Sequence, residues 1–225
     1  MKRFPHRREP FFRPRNHAQG DIKIIEAVTR HVERHIGPID FVLHESRSHL
    51  VHIDVHHVPP DDDRPFHTLV TSGMSQRAMT VPAGAEDLAY GELFLLLPPE
   101  WDVSIAWPIW LLRELARYPH EWGTWLGCGH TIQNAQDKSP AVPYGSDVPF
   151  RATLLTHPVT LGAELAERKL PGRSIHFYQL IPLYHEEIRF ALQHGTDALL
   201  ARFAQYQTSD IVDPGRRNTC RFDVH

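Results

Sequence analysis

Two cysteines in 225 residues, Cys128 and Cys220, are too few for a disulfide framework. Their scarcity agrees with a reducing compartment. No run of about 18 apolar residues occurs, so nothing reads as a membrane span. The longest apolar stretch, in "GELFLLLPPEW" at 91–101, is short and ends in two prolines. The N-terminal "MKRFPHRREPFFRPR" has basic residues but lacks the apolar core of a secretory signal, which makes the cytoplasm the expected location. There is no Gly-rich phosphate loop, no Walker motif and no paired CxxC.

Hydrophobic residues make up 41% of the chain and charged residues 23%, a composition suited to a globular protein. The charge is unevenly divided. Lys2, Arg3, Arg7, Arg8, Arg13 and Arg15 face only Glu9 within residues 1–15, a net of +5. Because the whole chain sums to -3, residues 16–225 carry -8. An acidic body does not suit nucleic acid, which needs cations to replace phosphate counterions. It suits a basic protein partner.

The spacing of apolar residues predicts a mixed α/β fold, a single domain with one main mixed sheet flanked by helices. Residues 1–20 read as a mobile basic arm, 21–209 as the domain and 210–225 as a C-terminal tail. A first helix is expected over "DIKIIEAVTRHVERHIG". There Asp21 caps the start, Ile25, Val28, Val32 and Ile36 share a stripe, and Gly37 stops it. "IDFVLHE", "LVHIDVHHV", "FHTLVTSGMS" up to Gly73, "YGELFLLLPP", "WLGCGHTI", "RATLLTH" and "SIHFYQLIPLY" read as extended, and "YGELFLLLPP" is apolar enough to be central. Pro108 opens a helix whose stripe includes Leu111, Leu115 and Tyr118. A closing helical region from Glu186 to Tyr206 is interrupted at Gly195.

Four stretches invite a chemical reading. In "HIDVHHVPP", His52, Asp54 and His56 alternate with Ile53 and Val55, and alternate residues of a strand share a face. Two imidazoles and a carboxylate are ligand types for zinc, yet a half-buried strand with a polar outer face produces the same pattern. Cys128 and His130 in "GCGHT" would share a face if extended, as a thiol and its base, but no orienting group or oxyanion donor accompanies them. "SGMSQ" fits only half of the G-x-S-x-G elbow, since residue 77 is Arg, and is expected to be a structural turn. There Met74 should point inward, and Ser72 or Ser75 should bond to backbone. Glu186 and Glu187 diverge on a helix and are accounted for by the first-turn N–H groups. Asp61, Asp62 and Asp63 form the densest acidic cluster, in a loop placed to reach a partner.

"PFHTLVTSGMS", "YGELFLLLPPEW", "WPIWLLRELARYPHE", "LGCGHTI" and "FYQLIPLYHEEIRFALQHGTDALL" occur in that order, and together they resemble the bacterial suppressor of fused-like domain. The resemblance runs from about Phe41 to Phe203. It implies an α/β domain that binds protein, has no catalytic residues and needs no cofactor or metal. The animal relative restrains a zinc-finger transcription factor by gripping a peptide between this domain and a second one. That second domain is expected to be missing here, so peptide clamping is not carried over. Bacterial members are associated with polymorphic toxin systems, which implies an immunity protein neutralising a toxin. Two other roles remain open beside it: a metal-dependent or thiol enzyme using the His-rich strand or Cys128 with His130, and a regulatory scaffold without a toxin.

Overall fold

The computed structural model describes residues 20–46, 48, 50–135 and 140–221. The expected arm therefore lies outside the described residues except for Gly20. The elements are α1 (Ile22–His35), β1 (Phe41–Leu43), β2 (Asp54–Val58), β3 (His67–Ser72), β4 (Gly91–Leu97), α2 (Trp107–Trp122), β5 (Thr131–Gln133), β6 (Ala152–Thr156), β7 (Glu167–Leu170), β8 (Arg173–Leu183), α3 (His185–His194) and α4 (Thr196–Gln205).

One mixed sheet of eight strands organises the molecule, in the order β1-β2-β3-β4-β8-β6-β5, with β7 also paired to β8. The β4–β8 pairing is parallel and the others are antiparallel. Every residue of β4 is buried, as its unbroken apolar run requires of a strand covered on both faces. Leu93, Leu95 and Leu97 join Leu111, Leu112 and Leu115 of α2 in one core, while Phe94 and Leu96 join Ile24, Val28 and Val32 of α1 in another. Alternate residues of one strand thus anchor the helices on opposite faces. Each fully buried leucine contributes about 2 kcal/mol.

The helix ends follow local chemistry. The Asp21 carboxylate accepts from the Lys23 N–H 3.0 Å away and caps α1. Gly123 closes α2 in the left-handed conformation. Gly195 divides the closing helical region into α3 and α4, which pack on β6 and β8 through Ile188, Leu199 and Phe203. The structure adds a strand that apolar spacing missed: β7 is short and half-exposed, and joins β8 through Pro171 and Gly172, whose φ of +80° suits glycine.

Residues 210–221, expected as tail, lie against the domain. Val212 donates its N–H to the Leu96 carbonyl, and Cys220 is buried in the core beneath α3 and α4.

Candidate functional site

The His-rich stretch divides differently from its period-2 pattern. β2 begins only at Asp54, so His52 precedes the strand and the alternation rule does not govern it. Nor does β2 have a polar outer face: Asp54, His56 and His57 are all buried, and the strand is paired on both edges, with β1 and β3. Both readings of the triplet need correction.

His56 stands apart from the other two. Its Nδ1 is buried without a partner, and burial pushes its pKa down to about 4, against the pull of Asp54 and with the push of His44. His44 takes its place beside Asp54, from the segment that leaves β1. Ligand-type atoms of His44, His52 and Asp54 all lie within 4.8 Å of one another. The Asp54 carboxylate divides its oxygens between the rings, with Oδ2 3.0 Å from His44 Nδ1 and Oδ1 2.9 Å from His52 Nε2. His44 was missed because the antiparallel pairing of β1 with β2, and not sequence spacing, brings residues 44 and 54 together.

A frame holds the cluster. The Glu45 N–H donates to Asp54 Oδ1 at 3.0 Å, and the Ile53 N–H donates to Glu45 Oε2 at 3.1 Å, so the two segments lock each other. Arg117 of α2 pairs with the other Glu45 oxygen, and Arg113 donates to the Leu43 carbonyl at 2.7 Å. The Ser48 hydroxyl bonds His52 Nδ1. Ser48, His52 and Asp54 therefore form a hydroxyl–imidazole–carboxylate chain. Ser48 is only 6% exposed, so the hydroxyl orients the ring and is not presented to a substrate.

The "SGMS" turn is structural, with partners the sequence did not reveal. Met74 is fully buried, as expected. The Ser75 hydroxyl donates not to backbone but to the buried Glu92 carboxylate at 2.6 Å, joined there by the N–H groups of Gly73 and Ser75 and the Thr71 hydroxyl. Ser72 Oγ is buried without a partner. Burial raises the Glu92 pKa, and the four donors oppose that rise.

The remaining candidates separate. Cys128 is exposed in a turn with Gly129 at φ +83°, so the extended arrangement that would set it beside His130 is absent. The His130 ring instead meets Trp125 edge-on, with centroids 4.3 Å apart. Glu187 is fully buried and does more than serve a helix start: Arg216 reaches its two oxygens at 2.7 and 2.5 Å, and Glu187 Oε2 also accepts the Tyr184 N–H. Glu186 accepts from the Asn218 amide at 2.8 Å. Tyr184, Glu186, Arg216, Arg217, Asn218 and Arg221 line a shallow cavity of about 400 Å³ there. In the acidic loop, Asp61 is occupied internally. It accepts from the Asp63 and Arg64 N–H groups and pairs with the Arg64 side chain, which holds its carboxyl below the usual carboxylate range. Asp62 and Asp63 are exposed.

Residues 49–217 match the sequence profile of the suppressor of fused protein family. Comparison with curated protein sequences gives no match. Among solved structures, a suppressor of fused homologue from Neisseria gonorrhoeae FA 1090 superposes with a TM-score of 0.68 at 19% identity, over 88% of this chain and 98% of that one. A structure of a Sufu–Fu complex gives 0.61 at 16% identity, over 86% of this chain and 91% of the other. Drosophila Suppressor of Fused gives 0.56 at 15% identity, over 81% of this chain and 47% of its own. These identities speak to the fold, while the profile covers most of the chain, with the "SGMS" turn, the buried Glu92 and Asp54 inside the matched region. The chain belongs to the suppressor of fused family.

Proposed function

We propose that this protein acts by binding another protein, without catalysis of its own, and that its partner is a basic toxin domain which it neutralises in the cytoplasm as an immunity protein. The observation that carries this reading is the charge of -8 on residues 16–225, which attracts a cationic partner. A family relative solved in a Sufu–Fu complex supports a role in assembly with protein. The closest approach to a catalytic set among the described residues, Ser48 with His52 and Asp54, keeps its hydroxyl buried, and Cys128 and His130 are not arranged as a thiol and its base. Asp62 and Asp63 are the acidic side chains proposed to meet the partner, with Asp61 holding their loop in shape.

Co-expression with the toxin-like product of an adjacent reading frame tests the proposal. Restored growth and an equimolar complex on size-exclusion chromatography are expected. A toxin that kills equally well in the presence of this protein, with no complex formed, overturns the toxin reading.

A further inference from the structure

We propose that His44, His52 and Asp54 form a binding site for one divalent transition-metal ion of the zinc class. The site goes beyond the protein-binding role and does not depend on it. Two imidazole nitrogens and a carboxylate suit zinc and its neighbours cobalt and nickel, whereas calcium and magnesium prefer an all-oxygen shell.

The geometry is close to what such an ion needs. Bonds of about 2.0–2.1 Å in a tetrahedron place neighbouring ligand atoms roughly 3.3 Å apart. The two contacts of Asp54 with the rings, 3.0 and 2.9 Å, run to its two different oxygens, and the ligand atoms as a set lie within 4.8 Å of one another. Binding an ion therefore turns one oxygen toward it and draws the two rings together. In the metal-free form each carboxylate oxygen is matched by a ring N–H. An ion replaces those two hydrogens, and each displaced proton has a place to go. His44 is exposed at 74% of its side chain, so its second nitrogen takes a proton facing water.

For His52 the place is set by Ser48. With the proton on Nε2, toward Asp54, Nδ1 accepts from the Ser48 hydroxyl. With metal on Nε2 the proton moves to Nδ1 and the same hydroxyl turns to accept it. A hydroxyl is the side-chain group that serves both states by rotation alone. A partner on the far ring nitrogen is also what orients metal-binding histidines in general. The Glu45 N–H fixes Asp54 in the same way.

The surrounding charges divide. Arg117 is paired with Glu45, and the His56 ring is buried. Arg113 lies near enough to feel the Asp54 charge and opposes a cation, which weakens the site without blocking it. The solvent-facing side, beside His44, leaves a fourth position for water.

The test uses the full chain, prepared without a histidine tag and stripped with chelator, titrated with zinc chloride by calorimetry and with cobalt by absorption spectroscopy. One ion per chain and a tetrahedral cobalt spectrum are expected. His44→Ala and Asp54→Asn should each weaken zinc binding at least tenfold, Ser48→Ala should weaken it roughly tenfold, and His157→Ala, an exposed histidine elsewhere, should leave it unchanged. Because His44 is exposed, its variant keeps the fold and decides the question even if Asp54→Asn does not fold. No zinc binding, or equal affinity in wild type and His44→Ala, overturns the site.

Discussion

The carbonyl oxygen of His52 occupies the space where residue 73 would carry a side chain: a Cβ on Gly73 would lie 1.8 Å from it. The contact joins the entry to β2 with the end of β3, so the His-rich stretch and the "SGMS" turn form one structural unit. Gly73 also has φ +135°, a conformation that side chains disfavour. Gly73→Ala should therefore cost about 4 kcal/mol, because neither the backbone of His52 nor that of residue 73 has room to yield. Urea unfolding monitored by tryptophan fluorescence measures it. A loss below about 0.5 kcal/mol, the range of ordinary surface substitutions, refutes this account.

The same turn depends on Glu92. Ser75→Ala removes a hydroxyl donor to a buried carboxylate and should cost about 2 kcal/mol. Glu92→Gln puts an NH₂ group among four donors and should cost more, about 3 kcal/mol, since some of them lose their acceptor. The reverse order in matched unfolding curves contradicts a carboxylate-centred turn. Neither substitution touches Asp62 or Asp63, so partner binding by the folded protein should be unchanged.

What was legible in the sequence is what local physics decides. The Asp21 cap, the α1 stripe, the central β4 and the break at Gly195 all depend on residues within a few positions of each other, and the structure has them. Ile25 is a small exception: the buried stripe of α1 is centred on Ile24, Val28 and Val32 instead. β7 escaped because its "ERKL" has little apolar content, although the "PG" beside it marked a hairpin turn. The site was half legible. Asp54 and His52 were named, but alternation put His56 with them, because the true strand start at residue 54 is set by tertiary pairing. His44, Ser48 and Glu45 carry no local signal. Their place beside Asp54 follows from β1 folding back on β2, which no spacing rule contains.

His31 gives the pH dependence a direction. It is buried in α1 against Phe177 and bonded to the Leu165 carbonyl at 3.1 Å, and burial lowers its pKa, with His35, Arg168 and Arg34 adding to the shift. The unfolded chain therefore binds this proton more readily than the folded one. The stability contributed is full above the ordinary histidine value of 6.5 and is lost as pH falls below it, toward the lower folded value. His120 is lowered by burial too and adds to the same acid slope. His31→Gln, which keeps an N–H for Leu165, should flatten the fall in unfolding free energy between about pH 6.5 and pH 5. An unchanged slope in that variant refutes the assignment.

Arg216 ties the end of the described chain to the start of α3. Its pair with Glu187 is buried, with side-chain exposures of 10% and 0%. Removing one partner strands the other charge, so Arg216→Ala should cost about 4 kcal/mol. Glu187→Gln combined with Arg216→Met should cost less than the two single changes added together, since no charge is then left buried without its partner. A double-mutant cycle on unfolding free energies reads the coupling directly. Strict additivity means that neither charge depends on the other, and it refutes this account.

The acidic loop separates steering from anchoring in the proposed complex. Asp61 already serves Arg64 and two backbone N–H groups, so replacing it disturbs the loop. Asp62 and Asp63 point their charge outward and can be changed without that cost. Attraction between unlike charges acts over about one Debye length, roughly 8 Å at physiological salt, and it raises the association rate more than the lifetime of the complex. Lifetime depends on a few buried contacts. Asp62→Asn with Asp63→Asn should therefore slow association with the cognate toxin a few-fold and flatten its dependence on salt, with dissociation nearly unchanged. Asp61→Asn should instead lower thermal stability through Arg64. Stopped-flow association at low and high salt distinguishes the cases. An association rate indifferent to salt and to both substitutions refutes steering by this loop.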